Sequence, residues 1–177
     1  STLTSEVVGF DAFDARRDEL ASAGIVLKKG VDPSTDLEPE YIAVSGGKAY
    51  VTLQENNAIA VLDLASRTFD GIYSAGFEDY SVTPIDIDKK DDAYAPRTYG
   101  SLMGIRMPDG IAAFQVDGKT YLVTANEGDA REWGDEDLGT FYLSEDEQDF
   151  GEEGVTSPTG AITGENSGLE GKVVFFK

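Results

Sequence analysis

The chain contains no cysteine and no histidine among its 177 residues. The absence of cysteine excludes disulfide bonds, thiolate zinc sites and a cysteine nucleophile. The absence of histidine excludes serine–histidine triads, a histidine general base and imidazole metal ligands within this chain. Any metal ion bound here must therefore be held by oxygen ligands.

Basic residues are also scarce. The 14 Lys and Arg residues face 34 Asp and Glu residues, which gives a net charge of -20 and a pI near 4.1. Such a surface repels nucleic acids and anionic membranes, and it attracts divalent cations and basic partners, although acidity can equally serve solubility. No apolar run approaches the ~18 residues of a membrane span. No basic-then-apolar leader is present, so we expect any export signal to lie outside this chain.

Two segments of the chain repeat one pattern. The first reads PEYIAVSGGKAYVTLQEN from Pro39, and the second reads PDGIAAFQVDGKTYLVTANEG from Pro108. Each has a proline–acid start, an apolar run, a Gly-Lys turn, an aromatic-aliphatic run and a final amide–acid cluster. A hairpin-building unit that recurs predicts a β-repeat array, with a β-propeller as the leading case.

The alternation of apolar runs and turn residues predicts a mainly all-β fold of short antiparallel strands. In the first repeat we expect turns at 46–47 and 56–57, and four strands: 41–44, 48–54, 58–64 and 68–73. In the second repeat Asp117-Gly118 predicts a hairpin turn between two strands, 111–116 and 120–125. Further strands are expected at 25–27, 138–143 and 172–176. The strand aromatics are expected in the blade cores rather than on a binding platform: Tyr50, Phe69, Phe114 and Tyr121.

One short helix is expected before the repeats. Asp14 is the predicted N-cap of a helix over 15–23 that ends at Gly24. Phe13 and Leu20 would face the core, and the charged residues would face water: Arg16, Arg17, Asp18 and Glu19.

The repeats predict one partial propeller domain over 1–177. Blade-like repeats are expected at about 39–73 and 108–177, separated by an insertion over 74–107 that is rich in Asp, Pro and Tyr. A closed propeller needs at least about four blades. Since the sequence shows only two, we expect this chain to be a fragment of a larger propeller.

The sharpest group of candidate ligands follows the second repeat. Asn126, Glu127 and Asp129 surround a Gly bend, and such oxygen donors suit calcium, which takes about 6–8 oxygen ligands. Arg131 is the candidate anion-binding residue, because it could clamp an anion that the metal also holds. The alternative is a plain tight turn in which Arg131 pairs with a neighbouring carboxylate.

The first repeat carries the matching elements. Glu40 stands at its proline–acid start and is the fourth candidate metal ligand. Gln54, Glu55 and Asn56 stand at its amide–acid end and are candidate channel-facing residues. Equivalent strands of successive blades converge on the channel of a propeller, so Gln54 and Asn126 could lie near each other with their acids. The alternative is that Asn56 serves only the hairpin turn.

These segments carry a family resemblance. Residues 36–66, DLEPEYIAVSGGKAYVTLQENNAIAVLDLAS, and residues 108–132, PDGIAAFQVDGKTYLVTANEGDARE, closely resemble the choice-of-anchor I family of bacterial exported proteins. Residues 10–27, FDAFDARRDELASAGIVL, resemble the segment that precedes the first block. The resemblance implies a secreted or surface-anchored β-propeller. Members are often labelled alkaline phosphatase or surface-layer protein, and they are similar to mesenchyme-specific cell-surface glycoproteins.

Two functions are expected from these features. The first is an extracellular or cell-surface module that binds calcium and acts in surface or matrix interaction, without a membrane span or nucleic-acid contacts. The alternative is a metal-dependent phosphoester hydrolase, in which Glu127 and Asp129 would hold calcium, Arg131 would hold phosphate, and the metal would activate water. The shortage of cations weighs against it, because phosphate sites cluster Arg and Lys. A scaffold without any ligand is the third possibility.

Overall fold

The computed structural model describes residues 4–87, 93–100 and 102–128, together with the backbone of four short strands between Glu132 and Phe176. The chain divides into two compact units. The first unit comprises Ser1–Gly76 and Arg106–Asp129, and the second comprises Phe77–Ile105 and Ala130–Lys177. No helix in these described parts is long and apolar enough to cross a membrane.

The described secondary structure is mainly antiparallel β, as the sequence predicts. Helical turns are confined to a 3-10 helix (Asp11–Arg16), α1 (Arg17–Ser22) and α2 (Pro33–Asp36). The described strands are, in chain order: β1 (Ile42–Ser45), β2 (Lys48–Leu53), β3 (Ala58–Asp63), β4 (Thr68–Ser74), β5 (Phe77–Asp79), β6 (Met103–Ile105), β7 (Pro108–Val116), β8 (Lys119–Asn126), β9 (Glu132–Trp133), β10 (Tyr142–Leu143), β11 (Glu147–Asp149) and β12 (Val174–Phe176).

The first repeat forms a four-stranded antiparallel sheet in the order β1-β2-β3-β4. Each strand boundary lies within one residue of its predicted position. Gly46 and Gly47 have positive φ angles of 58° and 78°, and Asn57 has a φ of 51°. Glycine and asparagine tolerate this left-handed backbone, so the turn chemistry sets where each strand ends.

The second repeat contributes the hairpin β7–β8 to the first compact unit. Asp117 and Gly118 both have positive φ, 49° and 74°, as a two-residue hairpin turn requires. The predicted turn is therefore confirmed. Strand β7 begins three residues before the predicted start, because pairing resumes at Pro108 beyond an irregularity between Pro108 and Ile111.

The helical segment lies where the sequence predicts it, but its start was predicted wrongly. Asp14 caps no helix, since its carboxylate instead accepts hydrogen bonds from the Ser34 backbone N at 2.8 Å and Ser34 Oγ at 2.9 Å. Gly24, with a φ of 88°, ends the segment as expected. Arg17 does not face water: its guanidinium donates to the carbonyls of Val31 and Lys28.

The strand predicted at 25–27 does not form. Val26 N donates to Asn56 O at 2.9 Å, and Asn56 Nδ2 donates to Val26 O at 2.9 Å. The extended segment thus pairs with a turn residue, through one backbone and one side-chain amide, instead of with a strand. Because a side-chain amide takes the place of one backbone partner, the hydrogen bonds of Val26 do not extend into a β-ladder.

The main core lies between the N-terminal segment and one face of the four-stranded sheet. Phe10 and Phe13 pack against Phe69, with ring centroids 4.5 Å and 6.2 Å from it. The remaining buried members of this cluster are Leu20, Ile25, Leu37, Val51, Leu53, Ala58, Ala60 and Ile72. Phe13, Leu20 and Phe69 are therefore core residues, as predicted.

Two of the aromatics expected in a core are exposed. Phe114 and Tyr121 lie opposite each other on β7 and β8, with 48 % and 46 % of their surfaces accessible. Their rings stack at 5.6 Å. They line one face of the hairpin, which we call its outer face, and the neighbouring Val123 on the same face is also exposed.

The second compact unit contains short strand pairs. Strands β5 and β6, which fall in the predicted insertion, pair antiparallel, and so do β9 with β10 and β11 with β12. Tyr99 and Leu102 form a small buried cluster with Tyr80, Ile85 and Ile87. The strand predicted at 138–143 is described only as β10, and the one predicted at 172–176 only as β12.

Candidate functional site

The two repeats pack against each other within the first compact unit. Strands β1 and β2 contact β7, and Ser45 Oγ lies 3.5 Å from Thr120 Oγ1. Asn57 stabilises the contact between the repeats through two hydrogen bonds. Its Oδ1 accepts from Met107 N and its Nδ2 donates to Gly76 O, both at 3.1 Å. Asn57 and Met107 are fully buried. This packing brings the start of β7 to the end of β2.

Acidic side chains from both repeats meet at this junction. We call this group the inter-repeat acidic cluster: Glu40, Gln54, Glu55, Asp109 and Glu127. Gln54 is the only amide of this cluster, and only 7 % of its surface is exposed. With its amide nitrogen turned toward the acids, Gln54 donates to Glu40 Oε2 and Asp109 Oδ1, both at 3.1 Å.

The opposite amide orientation gives Gln54 a single, longer contact, 3.5 Å to Glu127 Oε2. Two short bonds to carboxylates are stronger than one marginal bond, and the hydrogen-bond network is what decides such an assignment. We therefore place the nitrogen between Glu40 and Asp109. In that position Gln54 bridges the first acid of one repeat to the first acid of the other.

The crowding of negative charge changes the titration of Glu40. Partial burial is the largest cause that raises the pKa of the Glu40 carboxyl above its usual range. The nearby charges of Glu55, Asp109 and Glu38 raise it further, as does a hydrogen bond with Asp109. Carboxylates that share a site in this way favour the uptake of a proton or a cation.

Glu55 carries a polar atom without a partner. Its Oε2 is buried and makes no hydrogen bond with any described residue. A buried acceptor left unsatisfied costs free energy, and such atoms commonly mark the place of a water molecule or an ion. The cluster therefore has an acceptor available for a ligand.

Four of the residues predicted as site residues are brought together here: Glu40, Gln54, Glu55 and Glu127. Asn126 is exposed, and its Oδ1 accepts from Thr124 Oγ1 at 2.8 Å. Asn56 is buried, where it donates to Val26 O at 2.9 Å and to Asp36 Oδ2 at 3.3 Å. Its amide thus ties the N-terminal segment to the turn. Asp129 and Arg131 lie outside the described residues.

Asp109 is the member of the cluster that sequence reasoning missed. The signal for it was present, since Asp109 occupies the same proline–acid position in the second repeat that Glu40 occupies in the first. Pairing the repeats position by position would have selected both acids. The two Pro-acid dipeptides meet because the packed repeats bring their first strands together.

The donor set of the cluster is suited to a hard cation, because it consists of carboxylate and amide oxygens. In the arrangement described, no group of three or more acidic side chains among residues 4–87, 93–100 and 102–128 is close enough to hold a metal ion. Binding would therefore require the exposed acids, Glu40 and Glu127, to move inward.

Comparison with known proteins gives one family match. The family model of the choice-of-anchor I domain matches residues 1–169, a range that includes both repeats and the segment between them. No curated protein and no solved structure matches the chain.

Proposed function

The chain belongs to the choice-of-anchor I family, and on that premise we propose that it is a calcium-binding module for interactions at the bacterial surface. The resemblance seen in residues 36–66 and 108–132 is confirmed by the family match. This family is one of bacterial surface-associated and exported modules, which is the broad class expected from the sequence. Calcium binding and the interaction role are the parts that we propose.

The observation that carries the proposal is the meeting of acids from both repeats around one buried amide. Gln54 bridges Glu40 and Asp109, and Glu55 presents a buried oxygen without a described partner. A divalent cation would neutralise charges that otherwise repel. Glu40, Glu55, Asp109 and Glu127 would hold the ion, and Gln54 would orient the two acids that it bridges.

The expected affinity is low. Glu40 and Glu127, the exposed acids of the cluster, must move toward the other acids before they can share an ion. Extracellular calcium modules typically bind with dissociation constants of about 10⁻⁴–10⁻³ M, in keeping with the millimolar calcium around them. An ion held at an exposed rim also retains open positions, through which an acidic group of a surface or matrix partner could bind.

Thermal unfolding with and without calcium tests the proposal. At a calcium concentration ten times the dissociation constant, binding to the folded state alone adds about 1.4 kcal/mol to the free energy of unfolding. The melting temperature of the full chain should therefore rise with calcium relative to a chelator at equal ionic strength. The variant Glu40→Gln/Asp109→Asn should lose this rise.

The matched control is Asp18→Asn/Asp117→Asn, which removes two acids at exposed positions away from the cluster. It removes the same number of charges but leaves the cluster intact, so it should retain the calcium effect. No calcium effect in the unaltered chain would overturn the proposal. An equal effect in both double variants would overturn the assignment to Glu40 and Asp109.

The phosphoester hydrolase remains a prediction from the sequence. Its anion-binding residue Arg131 and its ligand Asp129 lie outside the described residues, while Glu127 belongs to the cluster. Release of phosphate from a simple phosphoester in the presence of calcium would favour it. In that case Glu127→Gln should abolish the turnover.

A further inference from the structure

On the core face of the four-stranded sheet, strand β1 exposes apolar side chains. Ile42 and Val44 lie opposite Val51 and Ala49 in the sheet, and residues directly opposite each other project to the same face. Val51 and Ala49 are buried, whereas Ile42 and Val44 are each 63 % exposed. The N-terminal segment therefore covers this face only in part and leaves β1 open.

The outer face of the hairpin β7–β8 is the second apolar face. The pair Phe114–Tyr121 and the pair Ala112–Val123 lie on it. Val123 is 56 % exposed. The opposite face of the hairpin includes Thr120 and is the one that contacts the first repeat.

The turns show which positions of the two hairpins are equivalent. The pair closing the first turn is Ser45–Lys48, and the pair closing the second is Val116–Lys119. Two residues further from each turn lie the pairs Ala43–Tyr50 and Phe114–Tyr121. The exposed pair Phe114–Tyr121 is therefore the counterpart of the pair Ala43–Tyr50 on the first hairpin. In that pair, Ala43 is buried.

Ala43 and Ser45 share the face by which β1 meets the second hairpin, as the contact of Ser45 with Thr120 shows. Phe114 is the counterpart of Ala43, so the outer face of β7–β8 is the counterpart of a face that is already used in packing. In the same way Ile42 is the counterpart of Ala113, which lies on the face of β7–β8 that receives the first repeat. Each exposed face is thus the counterpart of one side of the contact between the two repeats. The Phe114–Tyr121 face corresponds to the side that β1 contributes, and the Ile42–Val44 face corresponds to the side that β7–β8 contributes.

We propose that a second copy of this chain docks head to tail through these faces. The Phe114–Tyr121 face of one copy would pack against the Ile42–Val44 face of the next, repeating the contact that joins the two repeats within one copy. Such a contact joins two different faces, so each copy keeps one free face and further copies can add. The proposal goes beyond calcium binding and does not depend on it.

Charge sets the conditions under which association is expected. The net charge of -20 on each copy opposes close approach, and salt screens that repulsion. Burial of Phe, Tyr, Ile and Val side chains drives the contact and is little affected by moderate salt. Association should therefore increase with both protein and salt concentration.

The experiment is analytical ultracentrifugation of the full chain in the presence of a chelator, so that calcium plays no part. Two variants each block one face: Phe114→Glu blocks the aromatic face, and Val44→Lys blocks the aliphatic face. Two controls place the same new residues at exposed positions elsewhere, Tyr94→Glu and Val82→Lys. Circular dichroism checks that all four variants keep the β-sheet signal of the unaltered chain.

The unaltered chain and both controls should associate as salt is raised, and each face variant alone should stay monomeric. An equimolar mixture of Phe114→Glu and Val44→Lys should form a one-to-one dimer and nothing larger, because one intact aromatic face then meets one intact aliphatic face. A chain that stays monomeric at every concentration and salt level overturns the proposal and favours, as the occupants of both faces, the further propeller blades expected from the sequence. Association of either face variant to the same extent as the unaltered chain also overturns it, as does a mixture that remains monomeric.

Discussion

At the scale of single residues, neighbouring amides have different functions. Gln54 lies among acids and bridges Glu40 to Asp109, whereas Asn57 is surrounded by backbone groups and joins Met107 to Gly76. Asn56, between them, binds Val26 and Asp36. Because an amide both donates and accepts, side-chain amides within four positions contribute to a candidate ion site and to two structural contacts.

Asn57→Ala should destabilise the chain by about 2–4 kcal/mol. The change leaves the buried Met107 N and Gly76 O without their partner and places alanine at positive φ, where asparagine is tolerated. Urea unfolding measures the effect. The control Asn126→Ala removes an exposed amide and should cost less than about 0.5 kcal/mol. Equal losses in the two variants would contradict the structural role of Asn57.

Glu40 should make stability depend on pH. Its pKa is raised in the folded chain, so the folded state keeps a proton at pH values where the unfolded state has lost it. The stabilisation is present below the ordinary glutamate pKa and is lost as pH rises through the raised value. In chelator, the melting temperature of Glu40→Gln minus that of the unaltered chain should therefore increase as pH rises toward neutral. A difference in melting temperature that stays constant across this pH range would contradict the assignment.

At the scale of elements, local chemistry sets the strands and tertiary contacts set the helical segment. Positive-φ residues at Gly46-Gly47, Asn57 and Asp117-Gly118 end the strands where the sequence predicts. The helix start was predicted wrongly because Asp14 bonds to Ser34, twenty residues away, instead of to the helix backbone. A capping preference is worth about 1 kcal/mol, so a two-bond tertiary contact can override it.

Docking of the N-terminal segment should depend on Phe13. Its ring is 3 % exposed and packs against Phe10 and Phe69, so Phe13→Ala removes apolar contact and opens a cavity between helix and sheet. The expected loss is about 3–5 kcal/mol in the free energy of unfolding, measured in urea. Arg16→Ala, which removes an exposed ion pair with Glu19 and the contact of the guanidinium with the Phe13 ring at 5.3 Å but leaves that ring in place, should change it by less than about 1 kcal/mol. A loss at Phe13 as small as the control would mean that the segment contributes little to the core.

At the scale of the whole molecule, the excess of acid is the dominant feature. The net charge of -20 lies on a chain of 177 residues, and like charges repel more strongly in a compact state than in an unfolded one. Only four of the 34 acidic residues belong to the inter-repeat acidic cluster, so calcium at that site would relieve only part of the repulsion. Screening by salt should act on the rest.

Sodium chloride should therefore raise the melting temperature of the chain in chelator. Most of the increase is expected below about 0.15 M, where the Debye length falls to about 8 Å and surface charges cease to interact over longer distances. Differential scanning calorimetry across a salt series at fixed, low protein concentration separates this effect from self-association. A melting temperature that falls with salt would show that ion pairs such as Lys48–Asp70 outweigh the repulsion.

The sequence by itself determined the β class, the four strands of the first repeat and the hairpin at Asp117-Gly118, because turn chemistry and strand alternation act over a few residues. It also placed Glu40, Gln54 and Glu127 among the candidates, because the repeat marks them. Only the tertiary structure decided that Asp109 joins Gln54, that Asn56 turns to the N-terminal segment and that Phe114 and Tyr121 remain exposed. Each of these depends on how one repeat packs against another part of the chain, and packing between residues that are distant in sequence leaves no local pattern.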